Sequence, residues 1–136
     1  MLTTTEGKRV KLVTYVAVFR GRQVALVKYR TAPNPGREGW WLPAPELDHG
    51  EDPADRATVV LRSLGLAGAE PSLVGVESFT TRDWHVLFLY RATADRELTP
   101  GSEYDAVEWF DLDALPAAAE FAHGEWERSL VARLAP

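Results

Sequence analysis

From Val10 to Phe19 apolar residues fall on both parities of the chain. Val13, Tyr15, Ala17 and Phe19 occupy one parity, and Leu12, Val16 and Val18 the other. Successive strand residues point to opposite faces, so a run that is apolar on both predicts a central strand covered from two sides. Gly21 permits a tight turn, and Gln23 to Tyr29 reads as the returning strand of a hairpin. Thr31 to Gly39, with Pro33, Pro35 and two glycines, is a loop that leads into a short strand from Trp40 to Pro43. The period then changes from two to that of a helix. Ala54, Ala57, Val60, Leu61 and Leu64 form one apolar stripe, with Asp52 as N-cap, Pro53 at the first helical position, Asp55 in the first turn and Gly65 as the stop. Asp55, Val59, Arg62 and Ser63 lie on the opposite face.

Strands are expected again over Ser72 to Thr80 and Trp84 to Thr93, joined by the turn Thr81-Arg82-Asp83. Asp95 to Tyr104, containing Pro100-Gly101, is a loop before a strand from Ala106 to Phe110. Ala114 to Phe121 suggests a short helix, and a last helix from about Glu125 places Trp126, Leu130 and Leu134 four apart on one face. Hairpins and a helical crossover together imply an α/β sandwich with a mixed sheet, in one domain spanning residues 1–136.

Composition narrows the chemistry. Apolar residues make up 46% of the chain, enough for a real core. With no cysteine, disulfides, thiolate catalysis and cysteine-ligated metals are excluded. The first residues lack an apolar signal core and no apolar run is long enough to span a bilayer, so a cytoplasmic protein without a membrane partner is expected. The net charge of −5 is uneven: residues 1–43 carry eight Lys/Arg against two Glu, and the remainder seven Arg against eighteen acids. An acidic total argues against a nucleic-acid polymer as partner. Lys28, Arg30 and Arg37 could still form a basic rim for a small anion, or simply a solvated charged edge.

The segment Leu42 to Leu66, LPAPELDHGEDPADRATVVLRSLGL, carries an acidic loop into a short helix closed by Gly65-Leu66. In outline it resembles the signature of the Nudix hydrolases, Gly-x5-Glu-x7-Arg-Glu-apolar-x-Glu-Glu-x-Gly-apolar. Trp41-Leu42-Pro43 is similar to that family's lead-in, Val10 to Phe19 to its opening strand, and Val107 to Pro116 to its closing strand and turn. The resemblance covers most of the chain and implies a Nudix-like α/β/α sandwich with a mixed β-sheet. In the family the helical glutamates hold magnesium on a substrate diphosphate. Anchoring on Gly50-Glu51 places Val59 and Val60 where Arg-Glu should stand. Anchoring on Gly65-Leu66 exposes a one-residue deletion and places Arg62 and Ser63 on the Glu-Glu pair. Neither register supplies a helical glutamate, and Pro45 stands where the leading glycine belongs.

Diphosphate cleavage needs a cation to neutralise charge on the phosphoryl oxygens and a base to orient water. Five acids lie between Glu46 and Asp55, and Asp48, Glu51 and Asp55 are the candidates for a relocated magnesium site. Asp52 and Asp55 equally suit a helix N-terminus. Glu103 resembles in placement an auxiliary glutamate that some family members use as base, so Glu51 and Glu103 are the catalytic candidates if the protein is an enzyme. Trp40 and Trp41 should point to opposite faces, one into the core and one free to line a pocket. Arg82 beside Trp84 suggests a cradle for a base and its phosphate. Arg30, Arg37, Trp40, Trp41, Arg82 and Trp84 are therefore the ligand-binding candidates. His49, His85 and His123 show no metal-ligand spacing and read as surface or satisfied histidines. Three readings follow. The first is a binder of a nucleotide or nucleoside-diphosphate-linked small molecule, its hydrolytic centre lost and with no cofactor expected. The second is a magnesium-dependent pyrophosphohydrolase with a non-standard carboxylate set. The third is a structural or interaction module, such as a homodimer.

Overall fold

β2 (Arg9–Arg20) is the axis of the sheet, and Val16, Ala17 and Val18 on it are wholly buried. The computed structural model describes residues 2–33 and 36–136. Beside β2 run β3 (Gln23–Tyr29), β4 (Ser72–Thr80), β5 (Trp84–Thr93) and β6 (Tyr104–Asp111), in the order β4-β5-β2-β3-β6. A two-residue strand, β1 (Leu2–Thr3), pairs with the start of β2 and was too short to leave a periodic signal. β2 and β5 are parallel along Val10–Phe19 and Trp84–Thr93, and the other pairings are antiparallel. The expected mixed sheet is thus present.

The hairpin of β2 and β3 is shorter than the sequence suggests. The strands pair directly only at Phe19–Val24 and Arg20–Gln23 and then diverge. Residues 41–47 fill the gap. Val16 and Thr14 donate backbone N–H bonds to the carbonyls of Pro43 and Pro45, both at 3.0 Å, and Leu47 donates to Leu12 at 2.7 Å. On the other side Val27 and Trp41 exchange two backbone bonds at 3.0 and 2.8 Å. Pro43 and Pro45 have no N–H, so Trp40 to Pro43 forms isolated bridges and not the regular strand expected. The acidic loop is thereby fastened to the middle of the sheet.

α1 (Pro53–Ser63) begins as its capping residues dictate. Asp52 Oδ1 accepts N–H bonds from Ala54 at 2.7 Å and Asp55 at 3.4 Å. It ends in a Schellman arrangement, Gly65 N–H bonding Arg62 O at 3.0 Å and Leu66 N–H bonding Leu61 O at 2.9 Å. Ala57, Val60, Leu61 and Leu64 are buried against the sheet, while Asp52 at its head lies close enough to Tyr90 to act on its phenol. α2 (Gly124–Leu134) packs on the other face, burying Leu130, Val131 and Leu134, and an ion pair from Arg133 to Glu77 ties it to β4. The helix expected over Ala114 to Phe121 is absent. Two short 3₁₀ turns, Leu112–Ala114 and Ala118–Glu120, stand there with extended backbone between them. Pro116 is the cause, since it offers no N–H and forces Leu115 out of the helical region (φ −64°, ψ 153°).

Candidate functional site

The parallel register of β2 and β5 sets Lys11, Val13 and Tyr15 beside His85 and Leu87 on one face. Val13, Tyr15, His85 and Leu87 floor a cleft of about 800 Å³ that Lys11 also lines. Its walls are aromatic. Trp126 of α2 stands edge-on to Tyr15 (centroids 5.8 Å apart), to Phe79 (6.2 Å) and to His123 (6.0 Å). Phe79 and His85, cross-strand partners, stack at 4.8 Å with an interplanar angle of 15°. Trp41, only 2% exposed, closes the far end, with His123 edge-on to it at 4.6 Å and its indole N–H donated to Arg37 O at 3.0 Å. Lys11 and Arg37 supply positive charge at the rim. Glu46 also lines the cleft, but its carboxylate is held by Arg9 at 2.9 and 3.2 Å.

Electrostatics in the cleft follow from burial. The Tyr15 phenol is pushed well above its ordinary range, first by desolvation and then by the Glu127 carboxylate. His85 is lowered, chiefly by burial and next by the Lys11 ammonium, with Asp83 opposing. Its Nε2 lies 3.1 Å from Thr81 Oγ1.

Of the ligand residues expected from sequence, Arg37 and Trp41 line this cleft. Arg30 does not. It sits in a separate hollow of about 360 Å³ with Lys28, Glu38 and Asp105, paired to Asp105 at 3.2 Å, and among the described residues Trp41 borders both spaces. Trp40 turns the other way, as alternation requires, and packs on Phe110 at 4.8 Å with the Lys28 ammonium 4.7 Å from its ring centre. Trp84 and Arg82 form no cradle. Trp84 is one residue out of phase with His85, so it faces away from the cleft and donates its indole N–H to Ser78 Oγ at 2.7 Å. Arg82 is exposed in the turn. Sequence reading missed Tyr15, Phe79 and His85, which the sheet register brings together, and His123 and Trp126, which the packing of α2 adds. The four-residue spacing of His123 and Glu127 at the head of α2 was the one local signal.

The acidic candidates are engaged separately. Glu51 Oε1 accepts the backbone N–H of Asp48 at 2.7 Å, and its Oε2 is 3.8 Å from Arg56 Nε. Asp52 caps α1 and Asp55 is exposed. Among the described residues no three His, Cys, Asp or Glu side chains are gathered as a metal requires, so Asp48, Glu51 and Asp55 are not assembled into a site. Glu103 folds over Gly101, which donates its N–H to Ser63 O at 2.9 Å at the end of α1.

Comparison with solved structures decides the fold. A MutT Nudix hydrolase from Burkholderia pseudomallei superposes with a TM-score of 0.71 at 23% identity, over 94% of this chain and 100% of that one. The fold is that of the Nudix hydrolases. An ADP-ribose pyrophosphatase from Streptococcus suis matches at TM-score 0.55 and 23% identity over 90% of each chain. A C. elegans Ap4A hydrolase matches at TM-score 0.63 and 15% identity, over 89% of this chain and 93% of that one. No family model and no curated protein matches the sequence. No helix among the described residues is long and apolar enough to cross a membrane.

Leu42 to Leu66, which carries the resemblance to the family signature, includes α1, and the outward face of that helix can be tested against magnesium. Val59, 43% exposed, and Arg62 stand on that face, one unable to ligate and the other cationic. Ser63 is already used: its hydroxyl donates to Val60 O at 2.5 Å and meets the Tyr104 hydroxyl at 2.8 Å. Magnesium takes oxygen ligands in near-octahedral geometry, usually from carboxylates. Asp55 in the first turn is the one carboxylate of this face, and with Val59, Arg62 and Ser63 beyond it the face does not supply such a ligand set.

Proposed function

We propose that this Nudix-fold protein binds a nucleotide or a nucleoside-diphosphate-linked small molecule in the cleft between the sheet and α2, and has lost the standard hydrolytic centre. The carrying observation is the pairing of an aromatic cleft with a basic rim and an outward α1 face that carries no glutamate. Trp126, Phe79 and His85 offer flat apolar surface to a base, while Lys11 and Arg37 can meet phosphate without a bridging cation. That neighbouring folds are described as an ADP-ribose pyrophosphatase and an Ap4A hydrolase supports the choice of ligand class.

A thermal-shift screen of nucleoside diphosphates with EDTA present tests the reading. Selective binding to the native state raises the melting temperature by mass action. We expect stabilisation that needs no magnesium and is lost in Trp126→Ala. A flat screen at roughly millimolar ligand would favour an interaction module, perturbing RT ln(1 + [L]/Kd) too little to detect. Magnesium-dependent hydrolysis of dinucleoside polyphosphates or ADP-ribose, abolished by Glu51→Gln, would instead establish the enzyme reading with a non-standard carboxylate set.

A further inference from the structure

Glu127 is 0% exposed, an uncommon position for a carboxylate, and its hydrogen bonds explain why it stays there. Oε2 accepts the backbone N–H of Leu42 at 2.9 Å, which ties α2 to the lead-in of the acidic loop. Oε1 accepts the backbone N–H of His123 at 3.1 Å and lies 3.2 Å from Nδ1 of the same residue. Both oxygens already act as acceptors, so the network assigns the hydrogen to Nδ1. The neutral ring then carries its lone pair on Nε2.

The ring that carries it borders the cleft. His123 is one of the lining residues, and its ring is fixed edge-on between Trp41 (83°) and Trp126 (77°). Nε2 has no hydrogen-bond partner among the described residues, and it is not among the polar atoms sealed from solvent. The aromatic walls present flat apolar surface, and Nε2 adds to them an acceptor held in one tautomer and one orientation.

We propose that His123, oriented by Glu127, is the residue by which the cleft selects its ligand, favouring a heteroaromatic ring that carries an N–H donor on its edge, such as an exocyclic amine. This rests on the reading of the cleft as a nucleotide site. A ring with only hydrogen or a carbonyl at that edge leaves Nε2 desolvated and unpaired, which disfavours its binding.

Two measurements test it. In the ligand-free protein at alkaline pH, nitrogen NMR of the His123 ring should show a protonated Nδ1 and a bare Nε2, a pattern lost in Glu127→Ala. The reverse tautomer in the unaltered protein overturns the proposal whatever binds. Calorimetry then compares adenosine and cytidine diphosphates with analogues in which hydrogen replaces the amine. We expect an advantage of about fivefold for the amine in at least one pair, abolished in His123→Phe, which keeps a flat ring at the position. Equal binding within both pairs overturns the role of His123 alone. Failure of all four diphosphates to bind overturns the nucleotide reading with it.

Discussion

Gly65 shows how far a single position can be read from sequence. Its φ of +79° lies where only glycine is at ease, and a Cβ there would stand 2.8 Å from Thr99 Cβ. The helix stop was legible because the chemistry of a C-terminal glycine is local; the Thr99 contact was not, because it comes from a loop more than thirty residues away. Gly65→Ala should destabilise by about 1–3 kcal/mol through backbone strain alone, read as a lower urea midpoint. An unchanged midpoint would mean that residue 65 leaves the left-handed region at no cost and that the loop at Thr99 yields with it. The tryptophans repeat the lesson. Alternation separated Trp40 from Trp41 correctly, but the side of the sheet that Trp84 faces depends on its register against β2, which no local pattern encodes.

At the scale of elements, α1 was legible in full because cap, stripe and stop agree, whereas Ala114 to Phe121 misled because small apolar residues resemble a helix and Pro116 outweighs them. The bridging of β2 and β3 by residues 41–47 is a long-range arrangement without periodic trace. The cap is testable by itself: Asp52→Ala should cost about 1 kcal/mol, measured by denaturation at neutral pH, and a neutral effect would show that packing alone holds the helix. The outward face of α1 gives a second test. Val59→Glu with Arg62→Glu should leave stability within about 0.5 kcal/mol, since both positions are exposed. It should also show no magnesium binding by calorimetry, because Ser63 stays committed to Val60 and Tyr104. Saturable magnesium binding by this variant would show that two glutamates suffice and that the rest of the centre is intact.

At the scale of the molecule, α/β class and mixed sheet were legible, but the order of strands and the cleft they frame emerge only from the parallel pairing of β2 with β5. That assembly also fixes how the protein should respond to alkali. Tyr15, Tyr29 and Tyr104 are all raised above the ordinary 10.0, with burial the leading cause for each, and Tyr104 is pushed up to about 12. The Ser63 hydrogen bond holds Tyr104 partly back, and the nearby Glu103 carboxylate adds to the rise. A phenol raised in the folded state keeps its proton while the unfolded chain releases it, so its contribution is whole below pH 10 and falls as pH climbs toward about 12. Stability should therefore be flat with pH through the region just below 10 as far as these groups are concerned, then decline steeply. Ultraviolet titration should show the tyrosinates of these three appearing together with loss of the fold. In Tyr104→Phe one linked proton is gone, so the decline above pH 10 should be shallower even if stability at neutral pH is lowered by the lost bond to Ser63. If Tyr104 instead titrates near 10 in a chain that retains its native circular dichroism, the packing of β6 against the end of α1 is looser than this structure has it, and the placement of Glu103 and Ser63 beside that helix fails with it.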